Sequence, residues 1–131
     1  MTKNSVEKLS GFYVVTGASS GIGLELAKLA AQDGAALLLV ADRDLSDAKR
    51  VVQQCGASEV ETLEVDLATV EGTDRVIEKI GSRSVDGLMA NAGHGLGEAF
   101  FTQKWNEIAH VIDTNITGTV SLIHRIGGDM V

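Results

Sequence analysis

Hydrophobic residues in this chain fall into four short apolar segments that are separated by amphipathic stretches. The segments are residues 12–16, 35–41, 60–65 and 85–90. Segments that are apolar on both faces are typical of strands buried in a parallel sheet. The third segment interleaves acidic with apolar residues, which predicts a strand at one edge of that sheet.

Between and after these segments, apolar residues recur three or four positions apart, which predicts four helices. The helical patterns cover residues 22–32, 45–55, 69–80 and 104–126. Alternating strands and helices predict an α/β fold, a three-layer, Rossmann-like, doubly wound parallel sheet of about four strands in the order 3-2-1-4. We expect a single domain over residues 1–131, because this length suits one hydrophobic core.

Composition narrows the possible function classes. The chain carries 18 acidic and 11 basic residues, a net charge of −7, whereas a general binder of nucleic-acid phosphates is basic. No apolar run approaches the roughly 18 residues of a membrane span, and residues 1–4 do not resemble the start of a secretory leader. The single cysteine, Cys55, suits a reducing compartment. We therefore predict a cytoplasmic protein without nucleic-acid or membrane partners. We expect no metal site, because no histidine–carboxylate cluster has ligand spacing.

A glycine-rich loop joins the first predicted strand to the first predicted helix and reads Thr-Gly-Ala-Ser-Ser-Gly-Ile-Gly over residues 16–23. Gly17 allows a sharp turn, Gly21 allows the backbone to approach a pyrophosphate, and Gly23 allows helix and strand to pack closely. The N–H groups at the helix start then face the diphosphate. The loop residues predicted to bind a cofactor are Gly17, Ser19, Ser20, Gly21, Ile22 and Gly23.

A tight turn without a ligand is the alternative interpretation of this loop. The surrounding strand and helix, and an acidic residue 19 positions beyond Gly23, favour a dinucleotide site. That residue, Asp42, can accept hydrogen bonds from ribose hydroxyls and repels a 2′-phosphate by on the order of 4 kcal/mol at about 4 Å. NAD is therefore favoured. Arg43 leaves NADP open, because a guanidinium pairs well with a phosphate, unless it is a solvated surface side chain.

Four segments in this order resemble the motifs of one family. They are the glycine loop at 16–23, Asp66-Leu67 after the third strand, Asn91-Ala92-Gly93 after the fourth, and Asn115 within Asp-Thr-Asn-Ile-Thr-Gly at 113–118. Together they resemble the short-chain dehydrogenase/reductase family over residues 12–131. The resemblance implies that Asp66 and Leu67 lie at the adenine, that Asn91, Ala92 and Gly93 bind the cofactor, and that Asn115 kinks a helix.

The resemblance is to the N-terminal half of the family, and the chain is expected to be a truncated form. The family's catalytic serine and Tyr-x-x-x-Lys pair have no counterpart, and Ala90 replaces the first asparagine of the family's Asn-Asn-Ala-Gly motif. Tyr13, the single tyrosine, lies in the first strand and is expected to be a core aromatic residue. The catalytic residues are therefore unknown. Asn115 is the one candidate that keeps its position, and a structural role as a helix-kinking residue is the alternative.

Losing a positioned general acid typically costs about 10²–10⁴-fold in rate, so the usual interconversion of alcohol and ketone is not expected. A reduced nicotinamide can still pass hydride to readily reduced acceptors. The sequence therefore predicts diaphorase-like transfer from NAD(P)H to a quinone, flavin or dye. The alternative is an inactive dinucleotide-binding module or a fragment of a longer enzyme.

The three histidines have their own interpretations. His94 is a possible proton donor or a solvated loop residue, and His110 and His124 are interpreted as helix-surface or interface residues.

An association surface is expected on two elements. Without a neighbour, the strand at 85–90 is a sheet edge that invites pairing. The helix at 104–126 carries an apolar stripe, and in the resembling family this helix forms a dimer interface. We predict a homodimer or homotetramer through this helix or this edge, with domain swapping as a variant.

Overall fold

The computed structural model describes residues 8–131, so residues 1–4, on which part of the localisation prediction rests, lie outside it. Four strands and five α-helices follow one another along the chain. They are β1 (Phe12–Thr16), α1 (Gly21–Gln32), β2 (Ala36–Ala41), α2 (Ser46–Gln54), β3 (Glu59–Glu64), α3 (Val70–Ile80), β4 (Gly87–Met89), α4 (Trp105–Ile112) and α5 (Thr119–Met130). A 3₁₀ turn covers Phe100–Thr102, and a π-helical segment, Asp113–Gly118, joins α4 to α5.

The four strands form one parallel sheet in the order β3-β2-β1-β4, which confirms the predicted topology. β3 lies at one edge, as its interleaved acidic residues indicate. β4 forms the other edge and is shorter than the predicted segment at 85–90, since only Gly87–Met89 pair with β1. The carboxyl ends of β1, β2 and β3 therefore lie side by side, which is where open α/β sheets place their ligand sites.

Successive strand residues point to opposite faces of the sheet, and each face is covered by helices. On one face, Val15, Leu37 and Leu39 pack with the small residues Ala27 and Ala30 of α1. The alanines let this helix lie close to the sheet. The opposite face is buried by α3 and α5, whose inward side chains include Val76, Leu122 and Ile126. The result is the predicted three-layer arrangement.

Tyr13 has the expected place in β1. Its ring is half-buried and lies against Gly87 of β4, where a Cβ atom would collide with it. The aromatic residue therefore packs within the sheet, away from the carboxyl ends of the strands.

The predicted helix at 104–126 is not a single regular helix. The chain runs through α4, the π-helical segment and α5, and the helical conformation continues to Met130. A π-helical turn contains an extra residue and so rotates the helix beyond it. Here it brings Gly118 against the carbonyl oxygen of Leu67, so closely that a side chain at Gly118 would overlap that oxygen.

The outer side of this helical segment is apolar. Trp105 is 72% exposed, Ile116 57% and Ile123 51%, while Ile108 is half-buried. This matches the predicted stripe, and the association that it was expected to mediate stays a prediction. Within residues 8–131, no helix has the length and apolar character needed to cross a membrane.

Candidate functional site

A cleft of about 320 Å³ opens at the carboxyl end of the sheet. Most of the sequence-predicted cofactor residues line it. They are Gly17, Ser19, Ser20, Asp42, Arg43, Asp66, Leu67, Asn91, Ala92 and Gly93. Gly21, Ile22 and Gly23 form the first turn of α1 beside the cleft rather than its wall. The wall also contains His94, which the sequence offers as a possible proton donor. Four further wall residues were not indicated as site residues by the sequence. They are Ala41, Val65, His110 and Thr114.

The glycine loop is shaped by backbone conformations that favour glycine. Gly17 and Gly21 have φ angles of 66° and 58°, in the left-handed region that costs other residues energy. A side chain at Gly23 would overlap the carbonyl oxygen of Gly17, so helix α1 can start directly behind the strand only with glycine there. The loop is also held to β2, because the Ala18 N–H donates to the Val40 carbonyl at 3.2 Å.

The start of α1 is suited to an anion. Its first turn contains no acidic residue, and the first N–H groups of a helix have no partner within the helix. The helix dipole adds positive potential at the same point. Within the described residues the Ser20 side chain makes no capping hydrogen bond, so its hydroxyl is available to a ligand.

Thr16 ties the glycine loop to the end of β4. Its buried hydroxyl accepts hydrogen bonds from the backbone N–H groups of Asn91 and Ala92, both at 3.0 Å. The Asn91 side chain in turn donates to the Gly17 carbonyl at 3.3 Å. The glycine loop and the segment after β4 are separate motifs in the sequence. Thr16 joins them by hydrogen bonds, so that together they form one surface of the cleft.

Asp42 and Arg43 lie at the end of β2, on the rim of the cleft. The Arg43 Nε–H donates to Asp42 Oδ1 at 3.1 Å, and both side chains are more than half exposed. Asp42, which favours NAD, and Arg43, which leaves NADP open, therefore form an ion pair with each other. The preference for NAD over NADP stays a prediction.

Asn115 has a structural role in this arrangement. Its amide accepts from the His94 N–H at 2.9 Å and donates to the His94 carbonyl at 2.7 Å. It thereby fastens the loop after β4 to the π-helical segment. Asn115 itself does not line the cleft.

His110 lies in the wall of the cleft, which corrects its interpretation as a surface or interface residue. Its ring Nε2 contacts the Asp66 carboxylate, at 3.0 Å from Oδ2, and its Nδ1 lies 2.9 Å from Nε2 of His94. The three- and four-residue spacing of apolar residues predicts the apolar stripe of this helix. It does not predict what the polar residues on the other helix face contact. A usable signal was the four-residue spacing of the polar residues His110 and Thr114, which places them on one helix face.

Asp66 is the most strongly hydrogen-bonded carboxylate of the cleft. Partial burial raises the pKa of its carboxyl group, but hydrogen bonds from the Ala68 N–H and the His110 ring, with the charge of the histidines, lower it, so that the pKa lies below its ordinary value. Asp66 is therefore ionised at neutral pH and acts as a hydrogen-bond acceptor only.

Thr114 contributes a buried hydroxyl to the same wall. It is 9% exposed, and its Oγ1 has no hydrogen-bond partner among residues 8–131. Buried hydroxyl groups usually have a partner, so this one is available to a ligand in the cleft. In the described part of the chain, no group of three or more histidine, cysteine, aspartate or glutamate side chains is placed to hold a metal ion.

Comparison with known proteins places this chain in a family. Residues 12–131 match the model of the short chain dehydrogenases. The chain therefore belongs to the short-chain dehydrogenase/reductase family, which confirms the resemblance of its motifs.

Two relatives illustrate the relationship. The chain is 34% identical over 111 residues to a 3-dehydrosphinganine reductase of Arabidopsis thaliana, an alignment that covers 83% of this chain and 33% of that protein. It is 32% identical over 124 residues to the 17-beta-hydroxysteroid dehydrogenase type 1 of Homo sapiens, covering 89% of this chain and 38% of that protein.

A solved structure shares the fold. L-sorbose reductase of Gluconobacter frateurii, in complex with NADPH and L-sorbose, superposes with a TM-score of 0.83 at 32% identity. The match covers 94% of this chain and 49% of that one. The chain thus spans a third to a half of the length of the proteins it matches. A family member with bound NADPH supports the predicted cofactor, NAD or NADP.

Proposed function

We propose that this chain binds a nicotinamide dinucleotide across the carboxyl end of its sheet and is the cofactor-binding half of a short-chain dehydrogenase/reductase. The observation that carries this proposal is the single cleft that joins the glycine loop, Asp42 and Asp66. These groups follow β1, β2 and β3, which are neighbours in the order β3-β2-β1. The glycine loop, Asp42 and Asp66 therefore lie side by side at the carboxyl ends of neighbouring strands.

The cleft fits the parts of a dinucleotide in sequence. The diphosphate belongs at the start of α1, where free N–H groups and the hydroxyls of Ser19 and Ser20 meet it. Asp42 is placed for the ribose hydroxyls. The base then lies beyond the ribose, toward Asp66 at the end of β3. The nicotinamide half extends the other way, toward Asn91 and the loop after β4.

The nicotinamide supplies the hydride when the cofactor is bound, and the chain's own residues bind and orient it. The names of the relatives are those of reductases and dehydrogenases. They favour oxidation and reduction of a hydroxyl or carbonyl group as the activity of the whole protein. Diaphorase-like transfer to a quinone, flavin or dye has no counterpart among these names and stays a prediction from the sequence. A dinucleotide-binding module or fragment is consistent with the share of the relatives that the chain covers.

Titration of the purified 131-residue chain with NADH and with NADPH tests the proposal, with nicotinamide fluorescence as the signal. We expect saturable binding of one dinucleotide per chain. Ser20→Asp places a carboxylate where the diphosphate belongs and keeps a residue that caps helices well. We expect it to weaken binding by about tenfold or more, because two like charges come close together.

Ser82→Asp is the matched control, since Ser82 is exposed and lies between α3 and β4, outside the cleft. Its affinity is expected to stay within about twofold of the unmodified chain, as for most surface substitutions. Binding that S20D leaves unchanged would show that the diphosphate lies elsewhere. No binding of either dinucleotide by the unmodified chain would reject the proposal.

A further inference from the structure

We infer that His110 is a positioning residue that orients the Asp66 carboxylate toward the exocyclic amino group of the cofactor's adenine. The inference rests on the proposed function. It adds to that function a residue, His110, that holds the side chain by which the chain recognises the base. It is drawn from a chain of three side chains, His94, His110 and Asp66, which runs along one wall of the cleft.

The hydrogen bonds of Asp66 leave its Oδ2 able to accept one more hydrogen bond from a ligand. Oδ1 accepts from the Ala68 N–H at 2.9 Å and lies 3.2 Å from His110 Nε2. Oδ2 is 3.0 Å from the same ring nitrogen. A carboxylate oxygen can accept two hydrogen bonds, so Oδ2, with the imidazole as its contact, retains capacity for a further donor. Without His110, Ala68 alone would hold this side chain, and the carboxylate could rotate.

Asp66 determines which nitrogen of His110 carries the proton, and His94 can complete the pattern as a donor to the other nitrogen. Since a carboxylate only accepts, His110 must present an N–H at Nε2. In the neutral ring Nδ1 is then an acceptor, and Nε2 of His94, 2.9 Å away, is its donor. The loop that carries His94 is held by Asn115 through two backbone hydrogen bonds. The orientation of Asp66 is therefore set by two elements, α4 and the loop after β4.

The family resemblance implies that Asp66 lies at the adenine, and the position of Asp66 in the sheet is consistent with this. Along the order β1-β2-β3, the diphosphate site comes first, the ribose site at Asp42 second and Asp66 third. Adenine presents an amino group, a donor that a carboxylate accepts. Hypoxanthine has a carbonyl oxygen at the same ring position, which a carboxylate repels. Asp66, when correctly oriented, therefore discriminates between these two bases.

The test is the ratio of affinities for NADH and reduced nicotinamide hypoxanthine dinucleotide, measured by the same fluorescence titration. His110→Phe keeps a planar ring and removes the N–H. His110→Gln restores an N–H donor that can reach the position of Nε2. His124→Phe is the matched control, because His124 is an exposed histidine of α5 outside the cleft.

We expect the unmodified chain to prefer NADH and the preference to fall by about tenfold or more in H110F, the scale of one hydrogen bond to a charged group. H110Q and H124F are expected to keep the preference within about twofold. An H110F variant with the full preference, or an unmodified chain with none, would overturn the inference while leaving the proposed function intact. Failure of the unmodified chain to bind either dinucleotide rejects both.

A second measurement needs no variant. Long-range ¹H–¹⁵N correlation spectra of the histidine rings at neutral pH report which nitrogen carries the proton. The expected pattern for His110 is a protonated Nε2 that shifts when NADH is added. A ring with an unprotonated Nε2 cannot donate to Asp66 and would overturn the inference, whether or not H110F folds.

Discussion

We propose that Asp42 and Arg43, two neighbouring side chains, divide the recognition of one ligand group. Paired at 3.1 Å on the rim of the cleft, they offer an acceptor for ribose hydroxyls and a cation for a phosphate. Which of them meets the ligand depends on whether the ribose carries a 2′-phosphate. The pairing is exposed, so in solution it contributes little to stability and is easily exchanged for a ligand contact.

At this scale we predict that Asp42→Ala shifts the cofactor preference toward NADPH. The substitution removes the charge that repels a 2′-phosphate and frees Arg43 to pair with it. The ratio of NADH to NADPH affinity is expected to fall by about tenfold, measured by titration with both dinucleotides.

Glu78→Ala is the control for this change, since it removes one exposed carboxylate of α3 outside the cleft. It is expected to leave the ratio unchanged. An unaltered ratio in D42A would mean that the ribose lies away from the end of β2.

Among the elements, the π-helical segment links the site to α4 and α5. It lets the helical chain from α4 to α5 pass close to the loop after β3, with Gly118 against the Leu67 carbonyl. The same passage sets His110 beside Asp66. A regular helix through residues 113–118 would change the rotation of α4 relative to α5 and separate these contacts.

Gly118→Ala tests the role of this close passage. The added methyl group has no room beside Leu67, so the helix must move, and we expect a loss of about 1–3 kcal/mol in the free energy of unfolding. Gly128→Ala is matched to it, because Gly128 is exposed in α5 with open space around it. Its higher helix propensity predicts a gain of up to about 1 kcal/mol. Urea unfolding of both variants gives the comparison, and equal stabilities would contradict the packing described here.

Sequence patterns predict the strands, their order and the glycine loop because these depend on local periodicity and on the few connections that parallel strands allow. They do not predict the hydrogen bond between His110 and Asp66, which are 44 residues apart. That contact depends on the position of α4, which is set through the π-helical turn that joins it to α5. The hydrogen bond from the Asn91 N–H to the Thr16 hydroxyl is not predictable for the same reason, since it joins residues 75 positions apart.

For the whole molecule, the structure combines a cleft at one end of the sheet, the proposed cofactor site, with an exposed apolar helix face. The face includes Trp105, Ile116 and Ile123, and the predicted homodimer or homotetramer would bury it. The chain covers a third to a half of the relatives it matches. Binding of the cofactor by this chain and the reaction of the whole protein are accordingly tested by different measurements.

The sequence-based prediction of diaphorase-like transfer can be tested on the chain alone. Steady-state oxidation of NADH with a redox dye is expected to exceed the protein-free blank, because a bound reduced nicotinamide needs no protein acid to pass hydride to such an acceptor. At NADH concentrations below saturation, S20D should lower the excess rate by about tenfold or more, in line with its weaker binding, and S82D should retain it. If the chain binds NADH but shows no excess rate, the diaphorase-like prediction is wrong. The chain would then be a dinucleotide-binding module or a fragment of a longer enzyme.

A crystal structure of the chain grown with saturating NADH would show directly whether the cleft holds the cofactor. We predict that the diphosphate lies within hydrogen-bonding distance of the N–H groups at the start of α1, with the ribose at Asp42 and the adenine beside Asp66. A dinucleotide bound at another surface, or its absence from the cleft under these conditions, would contradict the proposed binding mode.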